Sequence, residues 1–420
     1  MTHRKPVSSG GLAAVLIAML LLSSCASVVR SPVPLALADQ ASIVGIPEAR
    51  QWGDVASENY LIFLGLDDEK IRVKAQAIYQ QEHHYLALSG GGARGAFGAG
   101  LLAGWAQHGD RPTFTMVSGV STGALIAPYA FLGVKYDHVI KEIYVKHSTD
   151  DLFRRRNIFS IIGGDSVTNV SGFIALIKRY LPDNLIDEIA AQNRLGRELF
   201  IGTTNLDSER PVTWNIGAIA NSDDPGRYDL VRQVIMASAS LPVAFPPVMI
   251  PVMAGGAQYD EMHVDGGVAN QVFVYPLGID WSVVAEKLKV VGQPRLYIVR
   301  NAKLSPEWNI TERKAVAIGT RSLNSLMRTQ GLGDLYRIYT GAERDGIDFN
   351  LAYIPDDFVD KSVEPVDTTT MLELYNIGQS LGRTGYAWRK VPPGAKTVEP
   401  VAAASMGERP VAVARGGHPP

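Results

Sequence analysis

Two side chains of this 420-residue chain stand in settings that could do chemistry: the serine of Gly119-Val120-Ser121-Thr122-Gly123 and the aspartate of Asp265-Gly266-Gly267. The first pattern fits a nucleophile elbow, in which a serine sits on a sharp turn between a strand and a helix. The serine backbone is crowded at such a turn, so Gly119 and Gly123, two residues to either side, can carry only hydrogen. The helix that follows offers unpaired N–H groups and the positive end of its dipole to a developing anion. A carboxylate of ordinary pKa, about 3.9, is a weak base in water. Desolvation can raise that value, and a direct hydrogen bond can aim the carboxylate at the serine, which permits a two-residue machine for acyl transfer.

A third motif, Gly90-Gly91-Gly92-Ala93-Arg94-Gly95, satisfies G-x-G-x-x-G after an apolar strand and so raises a dinucleotide site. That reading fails at the next strand, where the acid needed for the ribose hydroxyls is replaced by Ser118-Gly119-Val120-Ser121. No Gly-Lys-Ser/Thr follows the glycines, which removes a P-loop. A loop of bare N–H groups beside a serine remains, and that is what the oxyanion of an acyl-transfer intermediate needs. A Ser-His-Asp triad is the competing arrangement. Beyond the leader, the histidines are His83, His84, His108, His138, His147, His263 and His418. Of these, His263 would share a strand face with Asp265.

The elements that must carry these residues alternate. Tyr85 to Ser89 reads as a strand, Ala96 to Gln107 as a helix, Phe114 to Ser118 as a strand and Ala124 to Leu132 as a helix. Glu198 to Asn205, Val212 to Ile216, Tyr259 to Val264 and Arg295 to Arg300 read as further strands. Leu230 to Ser240 reads as a helix that Pro242, Pro246 and Pro247 stop. This alternation predicts a mostly parallel sheet covered on both faces. After Asn301 the chain reads as helical, with Ala315 to Thr329 and Met371 to Trp388 as the candidates. Met371, Leu374, Tyr375, Gly378 and Leu381 form a stripe that fits a helix packed on the sheet better than one facing a membrane. Arg154-Arg155-Arg156 could meet lipid phosphate, but a solvated loop is the favoured reading of such a run.

Taken together in order and spacing, Leu88 to Gly95, Gly119 to Gly123, Thr203 to Asp207, Ala237 to Pro247 and Asp265 to Gly267 resemble the patatin-like phospholipase family over about Tyr85 to Asn270. The resemblance implies a three-layer α/β/α fold with a mostly parallel central sheet and a helical C-terminal part. It also implies a Ser121–Asp265 dyad without a catalytic histidine, no cofactor, no metal, and hydrolysis of fatty-acyl esters, commonly of phospholipids or lysophospholipids. Gly90, Gly91, Gly92, Arg94 and Gly95 become the oxyanion loop. The rivals are a carboxylesterase acting on other esters and a nonenzymatic membrane-anchored lipoprotein.

Bulk composition, with 46% hydrophobic and 20% charged residues, excludes disorder as the main state. A net charge of -2 supplies no field for gathering nucleic acid. The one cysteine, Cys25, can form neither an internal disulfide nor a thiolate zinc site. Arg4 and Lys5 precede an apolar run from about Gly11 to Leu22, too short to span a bilayer and fitting a secretory signal. Leu22-Ser23-Ser24-Cys25 resembles the lipobox of bacterial lipoproteins, and Ala26 after it favours the outer membrane. The expected plan is a lipoprotein signal peptide over 1–25, a linker and N-terminal extension over 26–84 and a catalytic core over 85–275. C-terminal elements packed on the core would follow over 276–390, with a disordered tail over 391–420.

Overall fold

A computed structural model of the chain describes residues 30–152, 154–155, 168–242, 244–276, 278–308, 310–362 and 366–395. Residues 1–29, which include Cys25 and the expected signal peptide, and positions 396–420 lie outside the described residues, as do the side chains of the Arg154–Arg156 run. Only the backbone of Arg154–Arg155 is described, paired antiparallel with Thr168–Asn169.

The strands, in chain order, are β1 (Arg50–Trp52), β2 (His84–Leu88), β3 (Met116–Val120), β4 (Glu198–Asn205), β5 (Arg210–Asn215), β6 (Val248–Ala254), β7 (Ala257–Asp265), β8 (Arg295–Arg300) and β9 (Asp348–Tyr353). They form one sheet in the order β1-β5-β4-β3-β2-β8-β9, with the β6/β7 hairpin joined to β4 through β7. The five strands from β4 to β9 run parallel. β2 shows why both faces need cover, because its side chains alternate between two apolar clusters. Leu86 and Leu88 enter one cluster, while Tyr85 and Ala87 enter the other. The helices that matter for the site are α1 (Gly95–His108), α2 (Thr122–Leu132), α3 (Arg227–Ser238), α4 (Ala315–Arg344) and α5 (Thr368–Arg383). The cluster shared with Leu86 and Leu88 takes Leu101 of α1, Ile126 of α2 and Val234 of α3. The opposite cluster takes Leu335, Ile338 and Ala342 of α4. The chain therefore has the three-layer α/β/α architecture.

α5 begins where the Asp367 side chain caps the amide of Thr370, 2.8 Å away. Its stripe packs on α1 rather than directly on the sheet. Glycines make that approach possible: a methyl group at Gly100 or Gly104 of α1 would overlap the carbonyls of Tyr375 or Gln379, and one at Gly378 the carbonyl of Phe97. The two backbones touch with no side chain between them.

Three expectations need correction. Over the described residues from 30 on, the expected linker and N-terminal extension, 26–84, is an extension packed on the body rather than a linker. β1 pairs with β5 and closes one sheet edge, and Ile71, Ala75 and Ile78 bury themselves against Val284 and Leu288. A three-residue strand is too short to show a period. The segment after Asn301 is not wholly helical, because β9 extends the sheet beside β8; its Asp348 and Asn350 break the apolar run that would have announced it. Finally, α4 runs on to Arg344 through Gly331 and Gly333, since packing outweighs the roughly 1 kcal/mol preference against each glycine.

Candidate active site

Sheet register brings Ser121 and Asp265 together. β3 pairs with β4 up to Val120 opposite Gly202 and then stops. On that edge β7 takes over as β4's neighbour, with Asp265 opposite Thr203, the next residue along. The serine leaving β3 and the aspartate ending β7 thus arrive at the same level from opposite directions. The Ser121 hydroxyl donates to the Asp265 carboxylate across 2.6 Å.

The elbow holds Ser121 at φ 54°, ψ −123°, a region non-glycine residues seldom occupy. Its backbone amide donates to Ser238 Oγ at 3.0 Å, and the Ser238 hydroxyl donates onward to the Gly202 carbonyl at 2.6 Å. A methyl on Gly119 would lie 2.5 Å from the Gly123 carbonyl oxygen, and one on Gly123 would overlap the carbonyl of Leu88. Both glycines are therefore required by close backbone approach.

Asp265 is buried, and burial pushes its carboxyl up to about 6. The Ser121 hydroxyl and the Gly267 amide, which donates to the other carboxylate oxygen at 2.7 Å, oppose that rise. A buried carboxylate held by two donors, one of them a serine hydroxyl, can accept the serine's proton near neutral pH.

β2 runs in register with β3, Leu88 facing Gly119, so two residues further Gly90 comes level with Ser121. The glycine loop does not act as one uniform donor set. The Gly90 amide is already spent on the Gln271 carbonyl at 3.0 Å, while those of Gly91 and Gly92 donate to no group among the described residues. Gly92 takes φ 57°, and a methyl on Gly91 would overlap the carbonyl of Asn301. Gly95 has entered α1, where its amide turns back to the Gly92 and Ala93 carbonyls and its missing side chain makes room for Thr122 and Tyr144. Arg94 does not point its charge at an oxyanion. Its guanidinium bridges Glu307 and Asp360, each at 3.0 Å, so it fastens the loop from outside. The available oxyanion donors thus narrow to Gly91 and Gly92.

Among the described residues no histidine bonds to Ser121 or Asp265. His263 is fully buried, with Nδ1 2.9 Å from Thr203 Oγ1 and Nε2 3.1 Å from Glu261. Trp214 Nε1–H donates to the same Thr203 oxygen, so the hydroxyl proton goes to His263 Nδ1 and Nε2–H goes to Glu261. Both ring nitrogens are spoken for, and burial pushes the ring's pKa down. His263→Ala should therefore destabilise the fold by about 2–4 kcal/mol through a cavity and two orphaned polar partners. Ester turnover by the folded fraction should persist, which a parallel melt and assay would show.

Sequence reasoning assigned no roles to Ser238, Asn301 and Gln271. Asn301, fully buried after β8, donates from Nδ2 to the Ser89 carbonyl and accepts from the Gly98 amide, tying the loop to α1. Gln271 donates to the Gly267 carbonyl at 2.8 Å, and its own amide is held by Asp334 of α4 at 2.6 Å. Ser238 had a signal, since it follows the apolar face of a predicted helix. The other two are single polar residues with none.

A cavity of about 300 Å³ lies at the amino ends of the parallel strands, lined by Tyr85, Met116 and Glu198 among others. It is at the opposite end of the sheet from Ser121 and contributes nothing to this site.

Comparison with known proteins adds the following. The family model described as patatin-like phospholipase matches residues 86–277. Over 200 residues, the chain is 23% identical to Uncharacterized protein R571 of Acanthamoeba polyphaga mimivirus, an alignment covering 46% of this chain and 59% of that relative. The chain thus spans less than two thirds of the length of that relative. Among solved structures, VipD from Legionella pneumophila aligns at 12% identity with a TM-score of 0.29, covering 73% of this chain and 67% of VipD.

Proposed function

Because residues 86–277 are a domain of the patatin-like phospholipase family, we propose that this chain is a serine acyl-hydrolase that cleaves fatty-acyl esters of phospholipids or lysophospholipids. One observation carries the reading: a serine hydroxyl on a strained strand-to-helix turn lies 2.6 Å from a buried carboxylate, beside two glycine amides that donate to no group among the described residues. Asp265 accepts the Ser121 proton as Oγ attacks the ester carbonyl, and the Gly91 and Gly92 amides receive the negative charge that develops on its oxygen. Collapse of the intermediate expels the alcohol portion, which takes the proton from Asp265, and leaves an acyl-serine. Water, deprotonated by the same carboxylate, then releases the fatty acid and restores the hydroxyl.

The activity test is fatty-acid release from phosphatidylglycerol, lysophospholipid and short-chain ester by the purified protein. Turnover should appear with all three; absence of any hydrolysis would overturn the reading. Since Asp265 works only when ionised, kcat/KM should fall about tenfold per pH unit below about 6 and level off above it. A profile flat through pH 5 would remove Asp265 as the base. The proposal also includes a diacylglycerol-modified Cys25 that keeps the enzyme at the outer membrane. A Cys25→Ser chain should lose radiolabelled palmitate, and retention of the label would refute the anchor.

A further inference from the structure

The sequence offered two places for contact with lipid, the α5 stripe and the Arg154–Arg156 run. Of these, α5 is committed to α1. A different surface stands at the site itself. The clamp on Arg94 is made by Glu307 and Asp360, and each of these carboxylates is flanked by exposed apolar residues. Next to Glu307 comes Trp308, 95% exposed, and then Ile310, 86% exposed; Val359, beside Asp360, is 64% exposed. Ile318 and Leu326, on the first half of α4, are likewise open to solvent. Single exposed apolar residues are ordinary, but these are gathered on segments joined to the oxyanion loop through one guanidinium.

Charge selects what this rim meets. Residues 303–328 carry Lys303, Arg313, Lys314, Arg321 and Arg328 against Glu307 and Glu312, a net +3, and the Val359 segment, 356–361, carries Asp356, Asp357 and Asp360 against Lys361, so the rim as a whole holds +1 in a chain whose net charge is -2. Glu307 is already neutralised by Arg94, and Glu312 lies 2.6 Å from Lys314. Arg321 and Arg328 donate to the carbonyls of Glu307 and Leu304, which pins the strap to α4 without cancelling their charge. Lys314 is paired, but Arg313, Arg321 and Arg328 have no ion pair among the described residues, and apolar tips beside them match the boundary of an anionic bilayer, where acyl chains lie just beneath phosphate groups.

We propose that the rim formed by Trp308, Ile310, Val359 and the exposed side of α4 docks this protein on anionic phospholipid surfaces, with the mouth of the Ser121 site turned toward the lipid. The inference rests on the hydrolase reading for its purpose, and its test is independent of that reading. The full chain carrying Cys25→Ser is mixed with vesicles of phosphatidylcholine alone or with phosphatidylglycerol at about one third. Trp308 emission is taken as the difference between this chain and the same chain with Trp308→Phe. With anionic vesicles that emission should shift to the blue and be quenched by brominated lipid, and salt should reverse both effects. Trp308→Asp with Ile310→Asp should lower hydrolysis of vesicle phospholipid about tenfold while leaving a soluble short-chain ester unaffected. An unmoved Trp308 signal in the presence of bound vesicles would overturn the proposal. So would a shift that follows protein concentration without lipid, which would assign the rim to a second copy of the chain. A blue shift without any ester hydrolysis would support docking and refute the hydrolase instead.

Discussion

Ser121→Ala and Asp265→Asn are each expected to lower turnover of a soluble ester by at least about 10³-fold, with KM little changed. The alanine removes the atom that bonds to the acyl group, and the asparagine keeps an acceptor oxygen but cannot hold the proton. Because the two residues act as one unit, the double variant should be scarcely worse than either single one. Independent, multiplying losses would separate the residues and defeat a dyad. The asparagine variant carries a second expectation. A carboxyl whose folded pKa is raised to about 6 favours the fold most below its unfolded value near 3.8 and loses that contribution as pH rises through about 6. At pH 7 the buried charge therefore costs something on the order of 3 kcal/mol. Asp265→Asn should melt higher than the parent at pH 7 and match it near pH 4, while being inactive. Equal melting at both pH values would mean that the carboxylate is not desolvated.

The other large effect lies away from the chemistry. Gly100→Val or Gly104→Val should destabilise the protein by more than about 3 kcal/mol, because the obstacle is the α5 backbone and no rotamer change can relieve it. The damage should reach activity in molecules that remain folded. α1 starts at the end of the glycine loop, so forcing α5 outward shifts the Gly91 and Gly92 amides relative to Ser121. Gly319→Ala is the matched control, since its position on α4 has open space around it. It should be neutral or stabilising by up to about 1 kcal/mol. A melt series across the three variants distinguishes backbone contact from a general dislike of larger residues in helices.

What could be read from the residues follows from physical scale. Ser121 and Asp265 announce themselves because glycines beside a reactive side chain mark backbone crowding, and crowding is local. The loop at Gly90 to Gly95 was visible for the same reason, but the division of labour within it was not. Whether an amide is free depends on Gln271 and whether Arg94 is engaged depends on Glu307 and Asp360, all more than 170 positions away. β8 was legible from its apolar run Leu296 to Val299, and β4 from the shorter run Leu199 to Ile201 with β-branched threonines after it. β9 was hidden by Asp348 and Asn350, whose side chains are satisfied within a parallel strand by Lys390, which reaches both at 2.8 and 2.6 Å. β1 has three residues and draws its stability from pairing with β5, not from any pattern of its own. Asn301 shows the limit most clearly: an asparagine after an apolar strand gives no hint that it holds Ser89 and Gly98 at once.

The measurement that bears most directly on the account is covalent labelling by a fluorophosphonate, followed by peptide mass mapping. One adduct is expected, on Ser121, formed rapidly above pH 6, slowed at least about 10²-fold by Asp265→Asn and untouched by His263→Ala. A label on another serine, or undiminished labelling of Ser121 without the Asp265 carboxylate, would contradict it.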